Sequence, residues 1–345
     1  MDLSKVEAFL KNNNFPDYRF RQIRKNYFSG RFSSFETMTD LPLNLRGILS
    51  QKFSFLSVNP DKIDTTGGTQ KALLKLSDNQ KIESVLMDYE DWLTACISSQ
   101  VGCPLNCAFC ATGQMGFKRN LSAEEMVDQI IYWKHYISPL SKGEAPAKAG
   151  ERDLRVGRVV FMGMGEPFLN WDNLVSAIEI INSKDGLGIG ARKISISTAG
   201  IIDRIYDFTD LNTEINLAVS LHSVNQKIRQ QIMPVAKKYP FDELKKACLN
   251  YVHLTKRQLF FEYALMKDIN DSLKDAKELI NFIRMDRLFY LNLIPLNPTE
   301  NGVIPSDKKT MDLFVSILTK SDINFSIRKT FGQSIHAACG QLAGK

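Results

Sequence analysis

Apolar and polar positions fall into three successive patterns along the chain. From about Phe15 to Leu49 the spacing predicts short helices, so residues 1–50 are expected to form a small helical module. Residues 51–92 contain runs such as KALLKL and IESVLMD between polar turns, the mark of strands, and are expected to form a β-extension. From residue 93 to 345 a strand-then-helix rhythm takes over. LTACIS, VGRVVFM, RKISIST, INLAVSL, QLFFEYAL, LFYLNLI and NFSIRK are rich in β-branched and aromatic residues and predict strands. Helical periodicity lies between most of them, in SAEEMVDQIIYWKHYI, DNLVSAIEIIN, FDELKKACLNYVHL, DSLKDAKELINFIR and KKTMDLFVSILTK. Ser122 and Glu125 supply a capping box for the first of these helices. Such alternation builds a parallel sheet, so the fold class is α/β. The Ala/Gly/charge-rich segment 141–153 reads as an exposed insertion.

Composition adds limits rather than chemistry. With 345 residues, 44% hydrophobic and 24% charged, the chain is globular and long enough for one large domain with a small appendage. No run approaches the roughly 18 apolar residues of a membrane span, and Met1 to Lys11 lacks a secretory signal, so a cytoplasmic location without membrane contact is expected. The net charge of +6 is compatible with a polyanionic partner without demanding one. Arg19, Arg21, Arg24, Lys25 and Arg31, with Tyr18, Phe20 and Tyr27 among them, could follow phosphates. The same run also reads as a solvated helix face with its aromatics turned inward.

Chemistry concentrates in CPLNCAFC, where Cys103, Cys107 and Cys110 follow a strand at C-x3-C-x2-C spacing. Structural zinc takes four ligands, and no second pair is present; Cys96, in the preceding strand, is poorly placed to be the fourth. Three thiolates on a [4Fe–4S] cluster leave one iron open to a small molecule. A zinc site remains the alternative. Past the strand VGRVVF, Gly163 and Gly165 would let a ligand approach the backbone and Glu166 offers a carboxylate. Ser197, Ser220, His222 and Asn297 fall at predicted strand ends, where ligands of parallel α/β folds collect. Each, taken alone, reads equally as a structural residue.

The blocks CISSQVGCPLNCAFCATG, GFKRNL, FMGMGEPFLN, SISTAGI, SLHS, NLIPLNP and IHAACGQL, with YRFRQI and SFETMTDLP nearer the start, closely resemble the RlmN/Cfr family of radical S-adenosylmethionine (SAM) enzymes, and specifically its RlmN-type adenine C2-methyltransferases of 23S rRNA and tRNA. The resemblance implies a partial (β/α)6-type radical SAM barrel with a small N-terminal helical domain that binds RNA. It implies a [4Fe–4S] cluster on Cys103, Cys107 and Cys110, and SAM held by Gly165, Glu166, Ser197, Ser220, Leu221, His222 and Asn297. It further implies a relay. Cys339 is methylated by one SAM, a second SAM is cleaved to a 5′-deoxyadenosyl radical that activates the methyl group, and the RNA becomes tethered to Cys339. Cys96 then releases it through a transient disulfide, and Glu83 accepts the proton. Implied partners are 23S rRNA and/or tRNA and an electron donor such as flavodoxin or ferredoxin, with the enzyme acting as a monomer. Two other readings stay open: C8 methylation of the same rRNA adenosine, as in Cfr-type enzymes, and a non-catalytic, zinc-stabilised RNA-binding protein.

Remaining residues carry less. Lys118 and Arg119 could orient a phosphate beside the cysteine loop or form a solvated basic pair. Cys248, on a helical pattern, reads as a buried inert thiol. His336 and the GQS at 332–334 stand where the family usually has acidic residues, beside Cys339.

Overall fold

A computed structural model describes residues 1–137, 155–299 and 302–344; the insertion expected at 141–153 lies outside them. Three helices come first, α1 (Leu3–Asn12), α2 (Asp17–Ser29) and α3 (Leu43–Lys52). Asp2 caps α1 by accepting from Lys5 N at 3.0 Å, Pro16 and Pro42 precede α2 and α3, and Gly30 ends α2 in the left-handed region. Val6, Leu10, Ile23, Tyr27, Leu45 and Leu49 bury their inner faces, whereas Arg21 and Lys25 are exposed. Of the three aromatics interleaved with the basic run, Tyr27 is buried, Phe20 half-buried and Tyr18 exposed.

A ten-stranded sheet forms the body. The strands β1 (Val58–Thr66), β2 (Thr69–Leu76) and β3 (Lys81–Asp88) form an antiparallel meander, and β3 pairs antiparallel with β4 (Leu93–Cys96). Beyond β4 all pairings turn parallel, through β7 (Val156–Phe161), β8 (Ile194–Thr198), β9 (Asn216–Ser220), β10 (Leu259–Leu265), β11 (Phe289–Pro295) and the short β12 (Phe325–Ile327). A separate hairpin, β5 (Gln100–Gly102) with β6 (Phe117–Asn120), brackets the cysteine loop and the one-turn helix α4 (Ala111–Gln114). The parallel strands are separated by α5 (Ala123–Ile137), α6 (Trp171–Asn182), α7 (Ile202–Asp210), α8 (Gln226–Ile232) with α9 (Phe241–Thr255), α10 (Leu273–Ile283) and α11 (Lys308–Thr319). This is a partial α/β barrel.

All seven strands expected after residue 92 are present, as are the five helices. The Ser122–Glu125 capping box forms, with Glu125 Oε2 accepting from Ser122 N at 2.9 Å and Ser122 Oγ from Glu125 N at 3.2 Å. Three features escape sequence reasoning for separate reasons. Strand β1 is mostly exposed and reads VNPDKIDTT, without apolar alternation, because it is held mainly by backbone pairing to β2. Helices α7 and α8 are short, and α8 carries a buried arginine where periodicity asks for an apolar residue. The β5–β6 strands span three and four residues, too few for a period to show.

The helical region meets the barrel at a buried carboxylate. Asp128, on α5, accepts from the Tyr27 hydroxyl, from Ser57 N at 2.6 Å and from the Met1 ammonium at 2.5 Å. A buried charge so fully bonded is tolerated where an unpaired one would not be.

Candidate active site

The carboxyl ends of the parallel strands open into one cavity lined by Cys103, Cys107 and Cys110 on one side and by Gly165, Glu166, Ser197, Ser220, His222 and Asn297 on others. The cysteine loop is fixed by backbone bonds. Cys103 N donates to Gly116 O (3.1 Å), Ala108 N to Ile232 O at the end of α8 (2.9 Å), and Ala111 N to Gly340 O (2.7 Å). Gly102, at φ +73°, is needed there, since a Cβ would stand 1.8 Å from Gly116 O. Burial pushes the Cys103 thiol up to about 12 and raises Cys107 and Cys110 as well; nearby groups add to it, Glu166 and Cys110 at Cys103, Cys110 and Cys103 at Cys107, and Cys339 at Cys110. Three crowded, desolvated thiols lose their protons only against a cation that repays the charge.

Glu166 is almost fully buried. Its Oε1 accepts from Phe168 N (3.0 Å) and its Oε2 from Ala199 N (2.6 Å), while Gln100 Oε1 receives its backbone N–H (2.8 Å). Desolvation outweighs these bonds and carries the carboxyl up to about 7. The glycines before it are also demanded by close packing. A Cβ on Gly163 would come within 2.7 Å of the Ile97 carbonyl, and one on Gly165 (φ +99°) within 2.5 Å of Gln100 Cβ. They let the loop after β7 press against the segment following β4, and both line the cavity as well.

His222 sits just past β9 at φ +53°. Its Nδ1 accepts from Ala264 N (3.0 Å), so the proton of the neutral ring is on Nε2, and burial holds the imidazole down at about 3. Its ring meets Phe109 of the cysteine loop edge-on, centroids 4.6 Å apart. Leu221, expected among the ligand contacts, has its side chain in the hydrophobic core, outside the lining that Ser220 and His222 share; its N–H donates to Glu262 O (2.9 Å).

Cys96 and Cys339 share a second cavity, joined to the first through Met162, Ile294, Asn297 and Arg328. Cys96 ends β4, paired with Val85 on one side and Val160 on the other. Burial, and then the facing Cys339, push its thiol up to about 12, against the pull of Arg328. Cys339 is itself exposed, on a loop whose Ala337, Ala338, Gln341 and Leu342 are buried and whose backbone is laced down. Its carbonyl accepts from Asn297 Nδ2 (3.2 Å), and the Leu342 carbonyl accepts from Thr112 Oγ1 (2.6 Å).

Glu83 lies apart from the two cysteines. It faces a neighbouring cavity with Lys71, His336 and Ala343, and it is not the solvated strand residue that its type suggests. Lys71 Nζ holds Oε1 at 2.8 Å, and the N–H groups of Ala343 and Gly344 donate to Oε2 at 2.6 and 3.1 Å. Arg119 is likewise committed, to Asp78 (2.6 Å) and Glu125 (2.7 Å), so its expected freedom to meet a phosphate is gone; Lys118 stays exposed.

Sequence reasoning missed Arg328, Tyr89 and Phe331, which line the cavity of the two cysteines. Arg328 is anchored by Glu262 Oε2 (3.2 Å), whose other oxygen accepts from Asn292 Nδ2 (3.0 Å). Tyr89 and Phe331 pack with centroids 4.6 Å apart. Nothing in the spacing around them signals a site; only the meeting of β3 and the segment after β12 does.

Residues 97–283 match the model of the radical SAM superfamily. Proteins named probable dual-specificity RNA methyltransferase RlmN, from Thermoanaerobacter sp. (strain X514) and Alkaliphilus oremlandii, are 38% and 40% identical over 100% of this chain and 97% and 96% of their own. The crystal structure of a radical SAM methyltransferase from Sphaerobacter thermophilus superposes with a TM-score of 0.90 at 36% identity, covering 100% of this chain and 98% of that one. Radical SAM enzymes use a [4Fe–4S] cluster and SAM, and the donor set here fits both. Three free thiols line one wall, and polar groups of four strand ends face them. Among the described residues no three His, Cys, Asp or Glu side chains are gathered to hold a single metal ion, whereas in a cluster each thiolate serves its own iron. The chain belongs to the RlmN family within the radical SAM superfamily.

Proposed function

We propose that the chain is a SAM-dependent RNA methyltransferase that places a methyl group on C2 of an adenine in 23S rRNA and/or tRNA, by way of the cysteine pair. The observation that carries this reading is the cavity shared by Cys96 and Cys339, which opens onto the cavity of the three cluster thiols. The relatives named as dual-specificity RNA methyltransferases support RNA as the substrate class. Adenine C2 is too weak a nucleophile to take a methyl cation by simple displacement. The cluster with SAM supplies the carbon-centred radical that the reaction needs.

The chain's own residues do the rest. Cys103, Cys107 and Cys110 hold the cluster, and Glu166 offers its buried carboxylate to the SAM ammonium. Gly165, Ser197, Ser220, the Nε2–H of His222 and the side-chain amide of Asn297 orient the remainder of SAM. Cys339 carries the methyl group and then the tethered base. For release, the radical adduct loses the C2 proton and one electron, the electron returning to the redox couple that supplied it, and the Cys96 thiolate attacks Cys339 Sγ. The S–S bond forms as the S–C bond breaks, and the freed carbon takes up a proton to become the methyl group. An external thiol reductant restores the pair. Glu83 accepts the C2 proton, which requires Ala343 and Gly344 to give up its Oε2 first. The base must leave its stack to reach this depth, so single-stranded or loop RNA is the substrate. Flavodoxin or ferredoxin delivers the electron, and the enzyme acts as a monomer.

Nucleoside mass spectrometry of RNA treated with the anaerobically reconstituted protein tests the reading. 2-Methyladenosine is expected. 8-Methyladenosine would move the target to C8, and unmodified RNA from cluster-loaded protein would overturn the assignment.

A further inference from the structure

Behind the cysteine loop lies a cation without a counterion. Arg229, on α8, is 0% exposed. Its Nη2 donates to the carbonyls of Ala199 (2.7 Å) and Ser220 (3.4 Å), while Nε and Nη1 are buried with no hydrogen-bond partner. No ion pair involves it among the described residues. A buried charge left uncompensated is strongly destabilising. Deprotonation does not relieve it either, because burial lowers the guanidinium only to about 10.

Two thiols stand within reach of its charge, Cys248 and Cys107. Cys248 is fully buried with its thiol pushed up to about 12, so it stays neutral and offers no compensation. Cys107 belongs to the cysteine loop, which is bonded to this same helix segment through Ala108 N and Ile232 O at 2.9 Å. Arg229 does not line the SAM cavity; it acts from behind the loop. An anion seated on the three thiols is therefore the group that meets its field.

We propose that Arg229 is the charge-compensating residue of the iron–sulfur cluster, placed to raise its reduction potential and to hold it in the protein. The inference rests on the cluster being bound by Cys103, Cys107 and Cys110. Three thiolates make the loaded cluster net negative, and one-electron reduction by an external donor adds a further negative charge. A fixed cation close to one ligand stabilises the reduced state more than the oxidised one, so net charge and hydrogen bonding at the sulfurs set the potential. Arg229 supplies the charge, uncompensated by any ion pair among the described residues. A purely structural role, tying the ends of β8 and β9 through their carbonyls, would leave the potential unmoved.

The test is an EPR-monitored redox titration of the full-length, reconstituted protein without RNA, with iron content measured alongside. Arg229→Gln keeps a donor for the Ala199 carbonyl but loses the charge, and its potential is expected to shift in the negative direction. Arg229→Lys, which keeps the charge, is expected to stay near the wild type. Should the Gln variant load poorly, faster iron loss to a chelator than from the Lys variant, at equal thermal stability of the two apoproteins, supports the same role. A wild type with its cluster and a Gln variant with unchanged potential overturns this inference alone. A wild type without any cluster signal overturns the cluster assignment and the inference with it.

Discussion

Cys96 and Cys339 face one cavity from supports of opposite kinds. Cys96 is the last residue of β4, flanked on both sides by paired strands, and nearly fully buried. Cys339, itself exposed, sits on a loop with no regular structure, whose backbone is held by the side chains of Asn297, Thr112 and Glu83 and by the backbone N–H of Ala111. A strand position is set by a ladder that costs much to break, whereas a loop tied by single hydrogen bonds can shift at about 1 kcal/mol per bond. The difference suits a relay in which one thiol receives and delivers a group while the other waits at a fixed place.

The largest expected effect is at the loop. Cys339→Ala should abolish RNA methylation while iron content and the cluster absorbance persist; a variant that still methylates would remove the loop thiol from the relay. At the strand, Cys96→Ala should stop turnover at the tethered stage, seen as a protein–RNA band that survives a denaturing gel. Clean release of methylated RNA would show that the buried thiol does not resolve the adduct.

A smaller contrast concerns reactivity. With its thiol pushed up to about 12, Cys96 carries little thiolate near neutral pH, and its burial adds a barrier. Peptide mapping after iodoacetamide treatment of the apoprotein at about pH 8 should find Cys339 alkylated more than ~10-fold faster than Cys96, since burial and thiolate content both disfavour the latter. Equal rates would place both residues on flexible supports. The last contrast is in how the loop's far end is anchored, and it is read as stability. Glu83→Gln leaves Lys71 buried without its partner and should cost about 3–5 kcal/mol of stability by denaturant titration. Adding Lys71→Met should restore part of it. An unchanged midpoint would mean that this ion pair does not fasten the tail.

The cysteine loop and the strand–helix rhythm were legible in the sequence because local chemistry alone writes them. Three thiols at close spacing announce a soft metal centre, and alternating apolar periods announce strands and helices wherever each element buries one continuous face. The capping box Ser122–Glu125 and all seven parallel strands are of this kind. The polar residues at strand ends were legible one step further, since a parallel sheet gathers its ligands there.

Partnership between distant segments was not legible, because no local period encodes it. That Glu83 is locked by Lys71 and the tail, that Arg119 is spent on Asp78 and Glu125, and that Gly163 and Gly165 press against Ile97 and Gln100 all depend on which elements meet. Arg229 makes the point most plainly. In sequence it is one more basic residue in NQKIRQQ, an ordinary surface composition, yet packing makes it a fully buried cation with two unsatisfied donors. The amino-acid order sets each residue's charge and periodicity; only the assembled core decides which charges lose their water and what they must find in its place.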